Sequence, residues 1–85
     1  MEYRVGQLVR SKAGRDKGSD LIVLKIENGY GYVADGSVRR LENPKKKKLK
    51  HIQPSGKISE EIAARIEAGT LENHIIRKIL TQLSS

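Results

Sequence analysis

The hydrophobic positions in the first part of the chain come in short runs that are separated by glycine-containing or charged segments. From Asp20 onward the aliphatic residues alternate, so that Ile22, Leu24 and Ile26 would share one face of an extended strand. Similar runs, bounded by turn residues, recur along this part of the chain. The pattern predicts five short strands, over residues 8–12, 20–26, 30–34, 38–41 and 45–53.

Two dipeptides in this region are typical of tight turns between antiparallel strands. Asn28-Gly29 is a strong signal for a type I′ hairpin, in which both central residues need a positive φ. Asp35-Gly36 predicts a second hairpin turn, and Asn43-Pro44 ends the short strand that follows it. Five short strands with glycine-rich corners favour a small closed β-barrel, and a continuous open meander is the alternative.

The pattern becomes helical after Pro54-Ser55-Gly56, a tripeptide that is typical of a linker. Ser59 predicts the N-cap of a first helix, Gly69 predicts its end, and Thr70 predicts the cap of a second helix. The second helix carries an apolar stripe, formed by Leu71, Ile75, Ile76, Ile79, Leu80 and Leu83. Residues 58–83 are therefore predicted to form a helical hairpin, whose stripe packs in the core, against the barrel or against a second copy in a homodimer.

Positive charge is concentrated in the strand-rich part of the chain. The 85 residues have a formal net charge of +7. Residues 1–53 hold 13 Lys and Arg against 6 Asp and Glu, whereas residues 54–85 hold 4 of each kind. A basic segment beside a neutral one indicates that the first part meets a polyanion; the alternative is that the charge only keeps the protein soluble.

The composition argues against several other classes of protein. There is no cysteine, and the two histidines, His51 and His74, lack the paired spacing of a zinc site. No signal peptide is recognisable, and the longest aliphatic run, Leu21-Ile22-Val23-Leu24, is too short to span a bilayer. The sequence has no nucleophile motif and no acidic arrangement suited to catalysis. We therefore expect a cytoplasmic protein that is not an enzyme and that needs no metal, cofactor or small-molecule substrate.

A glycine-bracketed loop, Gly14-Arg15-Asp16-Lys17-Gly18, has the composition of a phosphate contact. Glycines let a backbone turn tightly and approach a phosphate closely, while Lys12, Arg15 and Lys17 supply charged donors. The loop is not a nucleotide-binding P-loop, because only three residues separate its glycines and no Lys-Ser or Lys-Thr pair follows them. Taken alone, it could equally be an ordinary charged turn.

In its wider context this loop resembles a KOW motif. The motif extends from Val5 through Gly6-Gln7-Leu8-Val9-Arg10-Ser11-Lys12 to Gly18 and on to Val23, and the later segments 33–40 and 49–52 extend the likeness. The chain over residues 5–53 thus resembles the KOW-bearing large-subunit ribosomal proteins of archaea and eukaryotes and their small bacterial relatives. The resemblance implies an SH3-like barrel that binds ribosomal RNA. Leu21 stands where many KOW motifs have a further glycine, and the helical hairpin has no counterpart in the family.

The densest charge in the chain is a run of four lysines. Lys45, Lys46, Lys47 and Lys48 repel one another, and a phosphate backbone would relieve that repulsion. Arg39 and Arg40 lie just upstream and can extend the patch; because adjacent strand residues face opposite ways, only one of them is expected to reach RNA. Lys50 and His51 follow the run. The alternative for the run is a solvated loop or a protected sheet edge.

Tyr30 and Tyr32 are the only aromatic residues within the predicted strands. They would lie on one face of the third strand, where they could stack on unpaired bases. Since the chain has no Phe or Trp, we expect them instead to fill the core.

Together these features predict a mainly β protein with α elements. It has an SH3-like KOW barrel over residues 1–53, a linker over 54–57 and a helical hairpin over 58–85. The expected partner is RNA, in particular ribosomal RNA, with ribosomal proteins or a second copy meeting the helices. Two alternatives stay open, a protein-interaction module and a DNA-associated or transcription-complex KOW factor. The predicted RNA-binding residues are Lys12, Arg15, Lys17, Arg39, Arg40, Lys45, Lys46, Lys47, Lys48, Lys50 and His51.

Overall fold

The computed structural model describes residues 3–84, which form a five-stranded antiparallel sheet and two helices. The strands are β1 (Gln7–Ser11), β2 (Asp20–Glu27), β3 (Tyr30–Ala34), β4 (Lys45–Lys48) and β5 (Ile52–Ile58). A short 3-10 helix, Leu49–His51, joins β4 to β5, and the helices α1 (Glu60–Ala68) and α2 (Asn73–Ser84) follow. The strand order in the sheet is β4-β3-β2-β1-β5. The prediction of a mainly β protein with two C-terminal helices is confirmed at this level.

The turn between β2 and β3 is the hairpin that the sequence predicts. Asn28 has a φ of 50° and Gly29 a φ of 80°, so both central residues are in the left-handed region that a type I′ turn requires. Glu27 and Tyr30 pair directly on either side of the turn. The first three strands lie within a residue of their predicted positions because each is bounded by such local turn signals.

The fourth strand differs from the prediction. Residues 38–41, predicted as a strand, lie instead in a loop over residues 35–44, and Val38 is 90 % exposed there. The Asp35 carboxylate holds this loop, because it accepts hydrogen bonds from the backbone N–H groups of Ser37 and Arg39 at 2.8 and 2.9 Å. The strand that pairs with β3 is the lysine run, which was predicted as the start of a last strand over residues 45–53. The 3-10 helix Leu49–His51 divides that predicted strand between β4 and β5.

The fifth strand takes up the residues that were expected to form a linker. Residues 54–57 lie within β5, and Pro54 is paired with Val9 of β1. Proline is tolerated here because β5 is at the edge of the sheet. The Ser55 hydroxyl adds a side-chain bond by donating to the carbonyl of Leu8 at 2.7 Å. The sheet therefore continues directly to the helices.

The sheet curls around a small apolar core. This inner core consists of Val9, Leu21, Val23, Val33 and Ile52. Ile52 of β5 approaches Gly31 of β3 so closely that a Cβ on Gly31 would lie 3.4 Å from the Ile52 side chain. Since β2 and β1 separate β3 from β5 in the sheet, this contact requires strong curvature. Over residues 3–84, however, β4 and β5 are the two edges and do not pair with each other.

The helices cover the outer face of the same sheet. Leu8, Ile22 and Ala34 lie side by side on neighbouring strands and face away from the inner core. Ile62 of α1 packs on them, together with the α2 residues Ile75, Ile76 and Ile79. The apolar stripe of α2 is therefore buried against its own sheet. No helix within residues 3–84 has both the length and the apolar character needed to cross a membrane.

Two of the three predicted helix boundaries are correct. The Ser59 hydroxyl accepts a hydrogen bond from the Ile62 N–H at 3.3 Å and caps α1, whose first turn carries Glu60 and Glu61. Gly69, with a φ of 71°, ends the helix in the left-handed conformation. The prediction of Thr70 as the second cap is wrong, because α2 begins only at Asn73.

Candidate nucleic-acid interface

The two basic loops of the sequence meet at one groove. The loop between β1 and β2 and the loop between β3 and β4 line an open groove of about 590 Å³ together with the start of β4. We call it the basic groove; its charged lining residues are Arg15, Asp16, Asp35, Arg39, Lys45 and Lys47. Residues that are about 20 to 30 positions apart in the sequence are thus brought to one surface.

The loop between β1 and β2 is a tight, internally bonded turn. The Lys17 N–H donates to the Gly14 carbonyl at 3.2 Å, and the Gly18 N–H donates to the Ser11 carbonyl at 2.8 Å. Gly14 and Gly18 have φ values of 88° and 89°, which side chains rarely adopt, so the glycine bracket serves this backbone path. The side chains of Arg15 and Lys17 are exposed, as a role in binding requires.

Lys47 is buried and already has an acidic partner. Its side chain is only 7 % exposed, and its ammonium lies 2.9 Å from the Asp16 carboxylate and 2.9 Å from the Ala13 carbonyl. Lys47 therefore ties β4 to the loop between β1 and β2. A buried ammonium that already holds a carboxylate has little left to offer a phosphate, so Lys47 is a weaker candidate for the predicted RNA contact than the exposed lysines.

Asp16 is adapted to this pairing. Burial raises the pKa of Asp16, but hydrogen bonds from Lys47 and Ser11 and the charge of Lys47 outweigh it, so the net pKa is below its usual value. The Ser11 hydroxyl donates to the same carboxylate at 2.8 Å. Lys47 thus neutralises one of the two acidic groups in the basic groove, and the other, Asp35, accepts hydrogen bonds from the backbone of its own loop.

Only one residue of the adjacent arginine pair faces the basic groove. Arg39 is half-buried, lines the groove and donates to the Asn43 carbonyl at 3.5 Å. Arg40 is exposed and lies 3.3 Å from the Glu42 carboxylate, on the side of the loop that faces α2. Arg39 is therefore the better candidate for a bidentate contact with phosphate.

Helix α2 fixes the loop that carries Arg39. The Asn73 side chain accepts from the Leu41 N–H at 2.8 Å and donates to the Glu42 carboxylate, and this second bond lowers the pKa of Glu42. One turn further on, Arg77 donates to the Gly36 carbonyl at 2.7 Å. Asn73 and Arg77 cannot be identified from the sequence as residues that hold this loop, because their hydrogen-bond partners lie more than 30 positions away.

Replacing Asn73 by alanine should loosen this loop. The substitution removes two hydrogen bonds and leaves the Leu41 N–H without its partner, which costs about 1–3 kcal/mol in the free energy of unfolding. Urea denaturation would measure the loss, and Gln82→Ala, an exposed change on the same helix, is the control. An Asn73→Ala protein as stable as the control would contradict this role for Asn73.

The lysine run divides between two faces of the sheet. Side chains alternate along a strand, so Lys45 and Lys47 face the groove and the interior, whereas Lys46 and Lys48 lie on the opposite face. There they stand beside Tyr32 and Tyr30, their direct cross-strand partners. The run was predicted as one continuous RNA contact, but the structure brings only Lys45 of its exposed members to the basic groove.

A further group of basic residues lies beside the loop between β1 and β2. The Lys12 N–H donates to the His51 carbonyl at 2.8 Å, which places the start of that loop next to the 3-10 helix. Lys12 and Lys50 are exposed and His51 is half-buried. These three predicted residues therefore extend the basic surface next to the loop.

The two tyrosines are not core residues, contrary to expectation. Tyr30 and Tyr32 are only half-buried and belong to neither apolar core. The Lys46 ammonium lies 4.5 Å from the centre of the Tyr30 ring, and the Lys25 ammonium lies 5.4 Å from that of Tyr32. The residues of β3 that point into the core are instead the smaller Gly31, which lies between the two tyrosines, and Val33, which follows Tyr32. Two aromatic rings therefore stand among lysines on the surface.

Comparison with known proteins adds no assignment. No protein-family model matches the chain, and a search of curated proteins finds no match to it. Within residues 3–84, no three His, Cys, Asp or Glu side chains are grouped so that they could hold a metal ion.

Proposed function

We propose that this protein is a small RNA-binding module of the KOW type, whose basic groove docks on the phosphate backbone of structured RNA. The observation that carries the proposal is the convergence of Arg15, Arg39 and Lys45 on one groove. These residues come from the two segments with the strongest likeness to KOW proteins and from the lysine run that follows them. A surface of this kind meets a polyanion.

The fold is compatible with this proposal. Five short antiparallel strands that curl around one small core are the main ingredients of an SH3-like barrel. We propose that the protein is such a barrel with its two edge strands unpaired and with the Lys47–Asp16 ion pair across the opening. The loop between β1 and β2 then stands at the rim, where its backbone and its cations can reach a ligand.

The chemistry of the groove suits phosphate recognition rather than base reading. Arginine side chains offer planar, paired donors for phosphate oxygens, and Lys45 adds a compact charge. Such contacts position a protein on a backbone without reading its sequence, so the shape of the folded RNA would select the site. Exposed Lys12, Lys17 and Lys50 extend the basic surface at and beside the loop between β1 and β2.

By its likeness to KOW proteins, the partner we propose is ribosomal RNA in the cytoplasm, bound on the ribosome or during its assembly or in translation. The protein would act by binding and not by catalysis. Helices α1 and α2 would serve the interface indirectly, since α2 holds the loop of Arg39 through Asn73 and Arg77.

Binding of the wild-type protein to a fragment of large-subunit ribosomal RNA, followed by fluorescence anisotropy, tests this function. If Arg15, Arg39, Lys45 and the neighbouring lysines Lys12, Lys17 and Lys50 each contact one phosphate, log K should fall with log salt with a slope of about −4 to −5. A DNA duplex of equal length, added as competitor, separates an RNA module from a DNA-associated factor. If the RNA fragment is bound no more tightly than the duplex, or if binding is independent of salt, the proposal is wrong.

A further inference from the structure

A second surface of the protein has the composition of a binding site for unpaired bases. It lies on the opposite side of β3 and β4 from the basic groove and consists of Lys25, Tyr30, Tyr32, Lys46 and Lys48, together with Glu27, the cross-strand partner of Tyr30. We call it the tyrosine–lysine face; it carries three lysines against one glutamate. The pairing register places these side chains together, since Lys48 is opposite Tyr30, Lys46 is opposite Tyr32, and Lys25 pairs with Tyr32 from the other side.

We propose that the tyrosine–lysine face binds a short single-stranded stretch of RNA by stacking bases on Tyr30 and Tyr32. The proposal deepens the function proposed above and rests on RNA being the partner of the protein. The charge of the lysines and the partial exposure of the two rings point to RNA as the occupant. Three lysines around two rings favour a negatively charged partner. A peptide or another protein domain would not in general carry that charge.

The two rings project from the same side of β3. Tyr30 and Tyr32 are two positions apart on one strand, so their side chains point to the same side at a separation of about 7 Å. An RNA strand running along the edge strand β4 could place one base on each ring. Sequence-tolerant single-strand sites elsewhere in proteins combine such aromatic platforms with a basic track for the backbone.

The lysines occupy positions from which they can move to phosphates. The Lys46 ammonium lies 4.5 Å from the centre of the Tyr30 ring and 6.0 Å from that of Tyr32. Its side chain is exposed, and the contact of an exposed ammonium with a ring is weaker than the stacking of a base on the same ring. A base can therefore displace Lys46 from the ring face, and the released ammonium can bind the neighbouring phosphate.

The residues around the tyrosine–lysine face leave it accessible and add a neighbouring apolar groove. Lys25 lies 3.6 Å from Glu27, an exposed pair that RNA phosphates can replace at little cost. Next to Tyr32 an apolar groove of about 420 Å³ opens between the sheet and α1, with Leu24 and Ile66 among its lining residues and Lys25 and Arg65 at its border. A base that passes Tyr32 would find an apolar surface there, to whose lining Lys25 and Arg65 also contribute.

Tyrosine emission offers a direct test, because the chain has three tyrosines and no tryptophan. We expect oligoadenylate to quench the emission of the wild-type protein after correction for absorption by the bases. Replacing both rings, in Tyr30→Leu with Tyr32→Leu, should weaken oligoadenylate binding roughly tenfold or more. Tyr30→Phe with Tyr32→Phe keeps both rings and should bind within about twofold of wild type.

The outcomes separate this site from the basic groove. Affinity for a fully paired RNA duplex should be unchanged in the leucine variant, whose fold is checked by circular dichroism. Absence of quenching in the wild type, or equal loss of duplex and oligoadenylate binding in a folded leucine variant, would overturn the proposal. If the leucine variant does not fold, the proposal is tested by the quenching of the wild-type protein and by the oligoadenylate affinity of the phenylalanine variant. Absence of quenching, or weak binding by a folded phenylalanine variant, would then overturn it. Ring-dependent oligoadenylate binding by a protein that ignores structured RNA would support this site while the proposed function fails.

Discussion

Replacing Asp16 by alanine is expected to destabilise the fold by about 3 kcal/mol, which corresponds to a fall in Tm of roughly 12–24 °C for a domain of this size. The reason is the position of Lys47, whose side chain is 7 % exposed and keeps only the Ala13 carbonyl once the carboxylate is gone. Removing one partner of a buried ion pair leaves an uncompensated charge, and this costs more than the pair itself contributes. Thermal unfolding followed by circular dichroism measures the effect.

Asp20→Ala is the matched control for that experiment. Asp20 also pairs with a cation, since its carboxylate lies 3.0 Å from Arg10, but the Arg10 side chain is 63 % exposed. Loss of a pair on the surface should cost no more than about 1 kcal/mol. Equal stability losses in the two variants would contradict a special role for the Lys47–Asp16 pair.

The same pair predicts a dependence of stability on pH. The pKa of Asp16 is lower in the folded protein than its ordinary value of 3.8, so its contribution is complete above about pH 4. As the pH falls through the lowered pKa, the folded protein takes up this proton and the contribution is lost. The difference in stability between wild type and Asp16→Ala should therefore shrink below about pH 4. A difference that stays constant down to pH 2 would argue against the ion pair as its source.

Removing Arg15, Arg39 and Lys45, the three cations of the basic groove other than the buried Lys47, should have the largest effect on binding. Each phosphate contact contributes a factor of about five to eight at 0.1 M salt, so Arg15→Gln, Arg39→Gln and Lys45→Gln together should weaken RNA binding by roughly 100- to 500-fold. The slope of log K against log salt should fall in magnitude by about 2–3. Anisotropy titrations at several salt concentrations measure both quantities.

A variant with the same loss of charge elsewhere controls for net charge. Arg4, Lys57 and Lys78 are exposed and lie outside the basic groove, and their replacement by glutamine lowers the net charge by the same amount. This control should lose much less affinity and keep most of the salt slope. Equal losses in the two variants would mean that the protein binds through its overall charge and not through the groove.

Much of the sheet could be predicted because its determinants are local. The β2–β3 hairpin depends on Asn28 and Gly29 alone, and the capping of α1 depends on Ser59 and the residues that directly follow it. Signals of this kind are complete within a few residues. The first three strands, both helices and the end of α1 were therefore predictable from the sequence.

The bounds of the last two strands were not predictable in the same way. One strand was expected over residues 45–53, whereas the pairing of β4 and of β5 is decided at long range. A run of four lysines has a poor preference for a strand, yet it pairs with β3 because Lys47 finds Asp16, which lies 31 positions earlier. Pro54-Ser55-Gly56 is typical of a linker, but its position at the sheet edge and the Ser55 bond to Leu8 make it part of β5. The partners of these two segments, Asp16 for Lys47 and Leu8 for Ser55, cannot be identified from the segments themselves.

The candidate site was predicted at the level of segments but not of individual side chains. Charge density located the β1–β2 loop and the lysine run, and both contribute to the basic groove. It could not tell Lys45 from Lys47, since these are adjacent on one face and differ only in what covers them. It also could not show that α2, through Asn73, holds the loop of Arg39.

The measurement that tests the central claim most directly is a titration of the ¹⁵N-labelled protein with a folded fragment of ribosomal RNA, followed by the backbone amide shifts. We expect the largest changes in the loop between β1 and β2, around Arg39 and at Lys45, and little change on the exposed sides of α1 and α2. Changes confined to the helices, or none at RNA concentrations well above those of the protein, would contradict an RNA-binding groove at this place.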